Sequence, residues 1–208
     1  MQKLFNVKRC IGFLTVIIFS IFVFLSCGFN NPRSAVEKFL ENYKDKNLQE
    51  SYKYLFDNDN STIFKNHLEN IMSSENLKNE FSDLSNLIVE KIFDFKYEIS
   101  DEIKEGEKLK FNVKLSYFNL PLAYESALHE FLAKSLDFDN VDNLYKAEYI
   151  SELLINHVKK LKPEEKNLDI EVVKDKNWKI LITKEISDVL TGNSIKLIDI
   201  LKANVLFN

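Results

Sequence analysis

Cysteine, proline and glycine are scarce in this chain of 208 residues, which has two, three and four of them respectively. Two cysteines exclude a disulfide-built scaffold, so the fold has to be held by its core. Four glycines provide no phosphate-cradling loop, and no Ser or Cys stands in a nucleophile elbow. The three histidines show no metal-ligand spacing. His129-Glu130 opens like a zincin helix, but position 133 is Ala. His67 and His157 fall on apolar helical faces and read as core or boundary residues. Asp57, Asp59 and Ser61 match the first places of a calcium loop, yet Thr62 stands where Gly is needed and Leu68 where the bidentate Glu belongs. They read better as a helix-capping turn, and so does the acidic loop Asp137, Asp139 and Asp142. No cofactor, metal or catalytic set is expected.

What the chain does have begins at its amino terminus. Lys3, Lys8 and Arg9 precede an apolar run from Ile11 to Leu25, the charged-then-apolar order of an export signal. A membrane-spanning helix needs about 20 apolar residues, so an uncleaved anchor is the weaker reading of this shorter run. The segment Phe24-Leu25-Ser26-Cys27-Gly28 resembles the lipobox of bacterial lipoproteins. Phe24 stands where Leu is usual, a departure similar to the relaxed lipobox of spirochaetes. The resemblance implies a signal at 1–26 and a palmitate-type lipid anchor on Cys27. It also implies a cell-envelope location, on the outer or the cytoplasmic membrane, facing the periplasm or the cell surface. Cys10 would leave with the signal and the lipid would consume Cys27. Removing the signal's three cations takes the formal charge from −4 to −7. So acidic a body is a poor nucleic-acid binder, because phosphate neutralisation supplies most of that affinity.

Residues 27–32 read as a short tether and 33–208 as one domain. Ser34 and Glu37 form a capping-box pattern ahead of Val36, Phe39, Leu40 and Tyr43, which recur at helical spacing. Asn47 is a candidate cap for a second helix carrying Leu48, Tyr52, Leu55 and Phe56 on one face. Ile63, Phe64, Leu68 and Ile71 predict a third helix, and Leu77, Phe81, Leu84 and Ile88 a fourth. The period then drops to two: Phe93, Phe95, Tyr97 and Ile99, then Leu109, Phe111, Val113, Leu115 and Tyr117, with a turn at Gly106. This predicts an antiparallel hairpin with one buried and one wet face. Helices over 122–136 and 143–161 come next, then strands over 168–173 and 178–183. Short helices over 186–190 and 195–201 are separated by Gly192, placed to end a helix.

The order helices, two strands, helices, two strands, helix predicts an α+β domain. Its helices should cover one face of a four-stranded antiparallel sheet, with a helical insertion between the strand pairs. The segments Ser34 to Leu40, Asn47 to Tyr52, Asn177-Trp178-Lys179-Ile180 and Asp188 to Gly192 resemble uncharacterised bacterial lipoproteins with a cystatin-like, nuclear-transport-factor-2-like domain. That resemblance implies a curved sheet forming a cone with a possible pocket, and carries no activity with it.

The inward face of the sheet offers aromatic and aliphatic residues and, from 93 to 182, no carboxylate or imidazole. Tyr97, Phe111, Tyr117 and Trp178 are the candidate pocket lining. The expected function is a non-catalytic binding or interaction module taking a protein partner or a small apolar ligand. The alternatives are an enzyme pairing a pocket tyrosine with a helix carboxylate, such as Glu125 or Glu148, and a surface protein contacting a host or environmental ligand.

Overall fold

A computed structural model of the chain describes residues 31–72, 82–105, 108–136 and 147–195. Cys27, Leu77, Phe81, Gly106, the 137–142 acidic loop and the 196–201 helix segment lie outside the described residues.

Helix α1 (Pro32–Lys44) starts one turn earlier than the Ser34–Glu37 pattern predicts. Pro32 takes the first helical position, where its missing N–H costs nothing, and Asn31 Oδ1 accepts from Arg33 N at 3.0 Å as the cap. Glu37 is thereby left inside the helix, where it pairs with Arg33 Nε at 2.9 Å. Val36, Phe39, Leu40 and Tyr43 are all fully buried, as their spacing requires. Each such side chain contributes about 1.5–3 kcal/mol relative to exposure.

Helix α2 (Leu48–Tyr52) is shorter than expected, and its N-cap residue Asn47 makes no side-chain cap. Leu55 and Phe56 leave the helix altogether. Phe56 N donates to Ile180 O at 2.8 Å and Ile180 N to Tyr54 O at 2.7 Å. The segment covers an edge that would otherwise expose unpaired backbone groups. Helix α3 (Asp59–Met72) begins with a reciprocal cap: Ser61 N donates to Asn58 Oδ1 at 2.7 Å and Asn58 N to Ser61 Oγ at 3.1 Å. Its buried stripe is Phe64 and Leu68, while Ile63, expected inward, is 55% exposed. Helix α4 (Ser82–Phe93) runs past the predicted switch in period. Phe93 closes the helix rather than opening a strand, and Phe95 lies in the link to the sheet, though both stay buried.

Strands β1 (Lys96–Glu105), β2 (Lys108–Tyr117), β3 (Glu164–Asp175) and β4 (Asn177–Ile180) form one sheet in the order β1-β2-β3-β4, every pair antiparallel. Between β2 and β3 lie the insertion helices α5 (Leu120–Leu136) and α6 (Ala147–Lys160), and α7 (Lys184–Leu190) comes after β4. The class is α+β, with helices and an uncurled four-stranded sheet. Phe111, Val113, Leu115, Leu168, Ile170, Val172 and Ile180 form the covered face, none more than 2% exposed. On the wet face Asn112 pairs with Asp169 at 3.0 Å and Lys114 with Glu165 at 2.9 Å. One irregularity breaks the alternation. Ile99 pairs with Val113 but Glu102 with Phe111, so β1 holds one extra residue. The bulge reverses the facing of the rest of β1 and leaves Ile103 opposite Lys110, 44% exposed.

Candidate functional site

β3 begins four residues before the first predicted strand residue, and the register of that early part decides what its side chains face. Tyr117 pairs with Glu164 and Leu115 with Lys166, so Glu164 and Lys166 share the face of Leu168 and Ile170. The inward face therefore does carry charge, at the end of the sheet where the insertion leaves it. The expectation of a charge-free face is corrected here, because apolar residues alone place the start of the strand at Leu168.

Beside this end of the sheet runs the segment from α7 to Ser194. Residues 186–194 are all buried, five of them polar or charged besides Gly192 and the apolar anchors: Ser187, Asp188, Thr191, Asn193 and Ser194. Backbone geometry makes this possible. Gly192 and Asn193 both adopt left-handed conformations, φ 60° and 57°, which reverse the chain just past the helix. Gly192 is required twice over, since a Cβ there would stand 2.7 Å from the Phe118 carbonyl oxygen. Gly192 O accepts from Leu120 N at 3.0 Å, and Tyr43 Oη donates to Leu190 O at 3.0 Å. A side-chain chain completes the frame: Asn193 Nδ2 donates to Asn119 Oδ1 at 3.0 Å and Asn119 Nδ2 to Glu164 Oε2 at 3.1 Å.

Between these two walls opens a cleft of about 540 Å³ lined by Tyr117, Lys166, Lys184, Glu185, Asp188, Val189 and Asn193. Small-molecule sites commonly occupy about 300–1,000 Å³, so the size suits a ligand. Lys166 Nζ lies 2.7 Å from Glu185 Oε1, and Lys184 Nζ lies 3.7 Å from the mostly buried Asp188 Oδ1. The Glu185 hydrogen bond holds the Lys166 amine above its ordinary range, with the charges of Glu185, Tyr117 and Asp188 adding to it against some desolvation. An amine so held is a cation, not a base. The cleft presents two cations, two carboxylates, an amide and a phenol.

Of the four expected pocket residues, only Tyr117 lines this cleft. Phe111 is 1% exposed in the centre of the sheet. Tyr97 lies on β1 beside α1, 6.1 Å from the Phe95 ring, with its hydroxyl pushed above the ordinary range by burial and then by Glu41. Trp178 sits on β4 with Lys174 Nζ 5.3 Å above its ring. They do not form one pocket, because the face they share is filled by α1. Glu125 is exposed on α5, and the side chain of Glu148 lies outside the described residues.

Two other places attract notice. His67 Nε2 lies 2.8 Å from Ser194 Oγ, a contact between residues 127 positions apart that no spacing rule anticipates. Ser194 is only 2% exposed, and the pair ties α3 to the α7 tail. Tyr124, Ala127, Leu128, Phe131, Ile150, Leu153 and Leu154 line an apolar gap of about 40 Å³ between α5 and α6. That is room for little more than water. His157 Nε2 meets Glu130 Oε2 across the same helix pair at 2.7 Å, and His129 is exposed.

No protein-family model matches the chain, and no curated protein or solved structure does either.

Proposed function

We propose that this chain is a bacterial envelope lipoprotein, anchored by lipid on Cys27, whose α+β domain is a non-catalytic binding module with its cleft as the binding site. The observation that carries the reading is the junction at Cys27. A charged-then-apolar leader stops there, and the first helix of the folded domain begins five residues later at Pro32. In this scheme the Cys27 thiolate displaces the phosphate headgroup of a phospholipid at the glycerol carbon and takes its diacylglyceryl group, water cleaves the peptide bond before Cys27, and the freed amine takes an acyl chain from the ester of a second phospholipid, which leaves as the lysolipid. Each buried methylene contributes about 0.8 kcal/mol, so two or more chains hold the protein stably. Among the described residues no helix is long and apolar enough to cross a membrane, and the proposed attachment uses Cys27 alone.

Two features favour a charged over an apolar ligand. The apolar face that would form a cone pocket is occupied by Phe39, Leu40 and Tyr43 of α1, all fully buried, so a small apolar ligand would have to displace the core. The open cleft instead holds opposite charges already matched with one another, which suits a polar or charged group on a partner. The experiment is intact mass of the chain purified from membranes of a lipoprotein-processing bacterium. A mature chain starting at Cys27 and carrying the acyl groups is expected, with Cys27→Ser leaving the leader attached and the lipid absent. A wild-type chain found unmodified and with its leader intact would overturn the reading.

A further inference from the structure

Of the four charged side chains in the cleft, three are loosely held and one is fixed. Those of Lys166, Glu185 and Lys184 are 41%, 61% and 75% exposed, whereas that of Asp188 is 9% exposed. Lys184 Nζ lies 3.7 Å from Asp188 Oδ1, beyond hydrogen-bond reach, and Lys166 pairs at 2.7 Å with a Glu185 carboxylate that solvent also reaches. Exposed ion pairs of this kind contribute about 0–1 kcal/mol each. A ligand can exchange with either at little cost.

The wall behind these arms is rigid. Asp188 sits on α7, which leads directly into the Gly192–Asn193 reversal, and Asn193 is held by Asn119, which Glu164 holds in turn. Tyr117 is buried at the end of β2. These groups are in place before a ligand arrives, which spares part of the ordering that binding costs. A carboxylate enclosed as Asp188 is has little water to lose and most to gain from a cation, and its charge already reaches the Lys166 amine.

The balance of sign selects the class of ligand. Two lysines and two carboxylates leave the lining without net charge. A dianion would gain Lys166 and Lys184 but face Glu185 and Asp188, and a dication would gain the carboxylates but face the lysines. Among the described residues no group of three or more His, Cys, Asp or Glu side chains gathers to hold a metal ion. A molecule with one charge of each sign instead replaces like with like. We propose that the cleft takes a small zwitterion bearing an ammonium and a carboxylate, a free amino acid or a short peptide, with the ammonium on Asp188 and the carboxylate on Lys166. This rests on the reading of the cleft as the binding site and names what it binds. The ammonium takes the place of Lys184, the carboxylate takes that of Glu185, and the two displaced side chains keep their charges in solvent. At about 540 Å³ the cleft leaves Tyr117, Val189 and Asn193 to meet what lies beside the ionic ends.

The test titrates the full-length chain, purified in detergent, by calorimetry with L-alanine and L-alanyl-L-alanine, and with the dipeptide either N-acetylated or C-amidated so that it keeps a single charge. Binding of at least one zwitterion is expected, with either blocked form weaker by at least about tenfold. Which zwitterion binds tells amino acid from peptide. Lys166→Gln should weaken the zwitterion and leave the amidated form unchanged; Asp188→Asn should weaken the zwitterion and leave the acetylated form unchanged. Damage to the fold would weaken every probe alike, and Lys166, the more exposed of the two, keeps the test open if Asp188→Asn does not fold. A blocked form that binds as tightly as the zwitterion, and that Lys166→Gln or Asp188→Asn weakens, overturns the ligand class while the cleft stands as the binding site. Zwitterion binding that neither substitution changes, or no heat from any of the four probes, overturns the ligand class and the cleft together. Intact mass of the same sample reads the lipid on Cys27 separately, so the anchor stands or falls on its own result.

Discussion

Tyr43 joins the core to the cleft, and removing only its hydroxyl tests that link. The ring is fully buried among Phe39, Phe64, Phe93 and Phe95, with centroids 5.0 to 6.5 Å apart across this cluster. Its hydroxyl donates to Leu190 O, the last helical carbonyl before the turn that carries Gly192 and Asn193. Tyr43→Phe keeps the ring and leaves that buried carbonyl without this donor. Such a loss costs about 1–2 kcal/mol. For a protein of this size each kilocalorie lowers the melting temperature by about 2–4 °C, so a drop of roughly 2–8 °C is expected. Tyr43→Ala also removes the ring, for a total of about 4–7 kcal/mol once aromatic truncation is included. Urea unfolding followed by Trp178 emission measures both, and an unchanged m-value licenses the comparison. The two variants bracket the argument. If Tyr43→Phe unfolds at the wild-type midpoint while Tyr43→Ala does not, the hydroxyl is not what holds the α7 tail, and the proposed coupling of core to cleft is wrong.

Gly192→Ala should be costly, because the new Cβ would meet the Phe118 carbonyl at 2.7 Å on a left-handed backbone. A loss of at least about 1–3 kcal/mol is expected, read as a lower urea midpoint, and a neutral result would remove the steric account of this turn. Alkaline pH should also destabilise. Burial, with a smaller contribution from Glu69, pushes the Tyr52 hydroxyl up to about 12, and burial raises that of Tyr43 as well. Both groups are raised above their ordinary value near 10, so the unfolded chain releases their protons first. Their stabilisation is complete below about pH 10 and is lost as pH rises toward 12. The full two-unit shift of Tyr52 equals about 2.7 kcal/mol, which solvent screening of a half-exposed group cuts to about 1. Tyrosinate absorbance titrated against circular dichroism checks this: late-ionising phenols should appear together with loss of structure, and free titration of all phenols in a still-folded protein would contradict it.

Periodicity carried the helices and the class of the fold because one-sided burial writes itself directly into spacing. Val36, Phe39, Leu40 and Tyr43 are the clearest case, and the alternation of Leu109 through Tyr117 the next. The errors sit where a local pattern has two solutions. Phe93 and Phe95 alternate with Asp94 as a strand would, yet Asp94 N donates to Glu90 O at 3.0 Å and continues the helix. Leu55 and Phe56 fit the stripe of α2, yet their backbone finds better use against Ile180. The early start of α1 was written in Asn31-Pro32, a cap followed by a residue suited to the first turn, and the Ser34–Glu37 pattern obscured it. The bulge on β1 left no mark, because one extra residue in a stretch of alternating charge changes register without changing composition.

The cleft was harder to see for a reason the sheet itself supplies. A strand face is apolar only where helices cover it, and cover ends before strands do. Leu168, Ile170 and Val172 lie under helices; Lys166 and Glu164, in register with them, lie just beyond. Continuing the alternation of β3 backward from Leu168 reaches both residues, and that step alone would have put charge on the inward side. The rest of the site had no such signal. Tyr117, Lys166 and the 184–193 segment meet only through the pairing of β2 with β3 and the reversal at Gly192. In this sheet the charged residues in phase with the buried strand face mark the limit of helical cover, and the cleft opens there rather than among the aromatics under the helices.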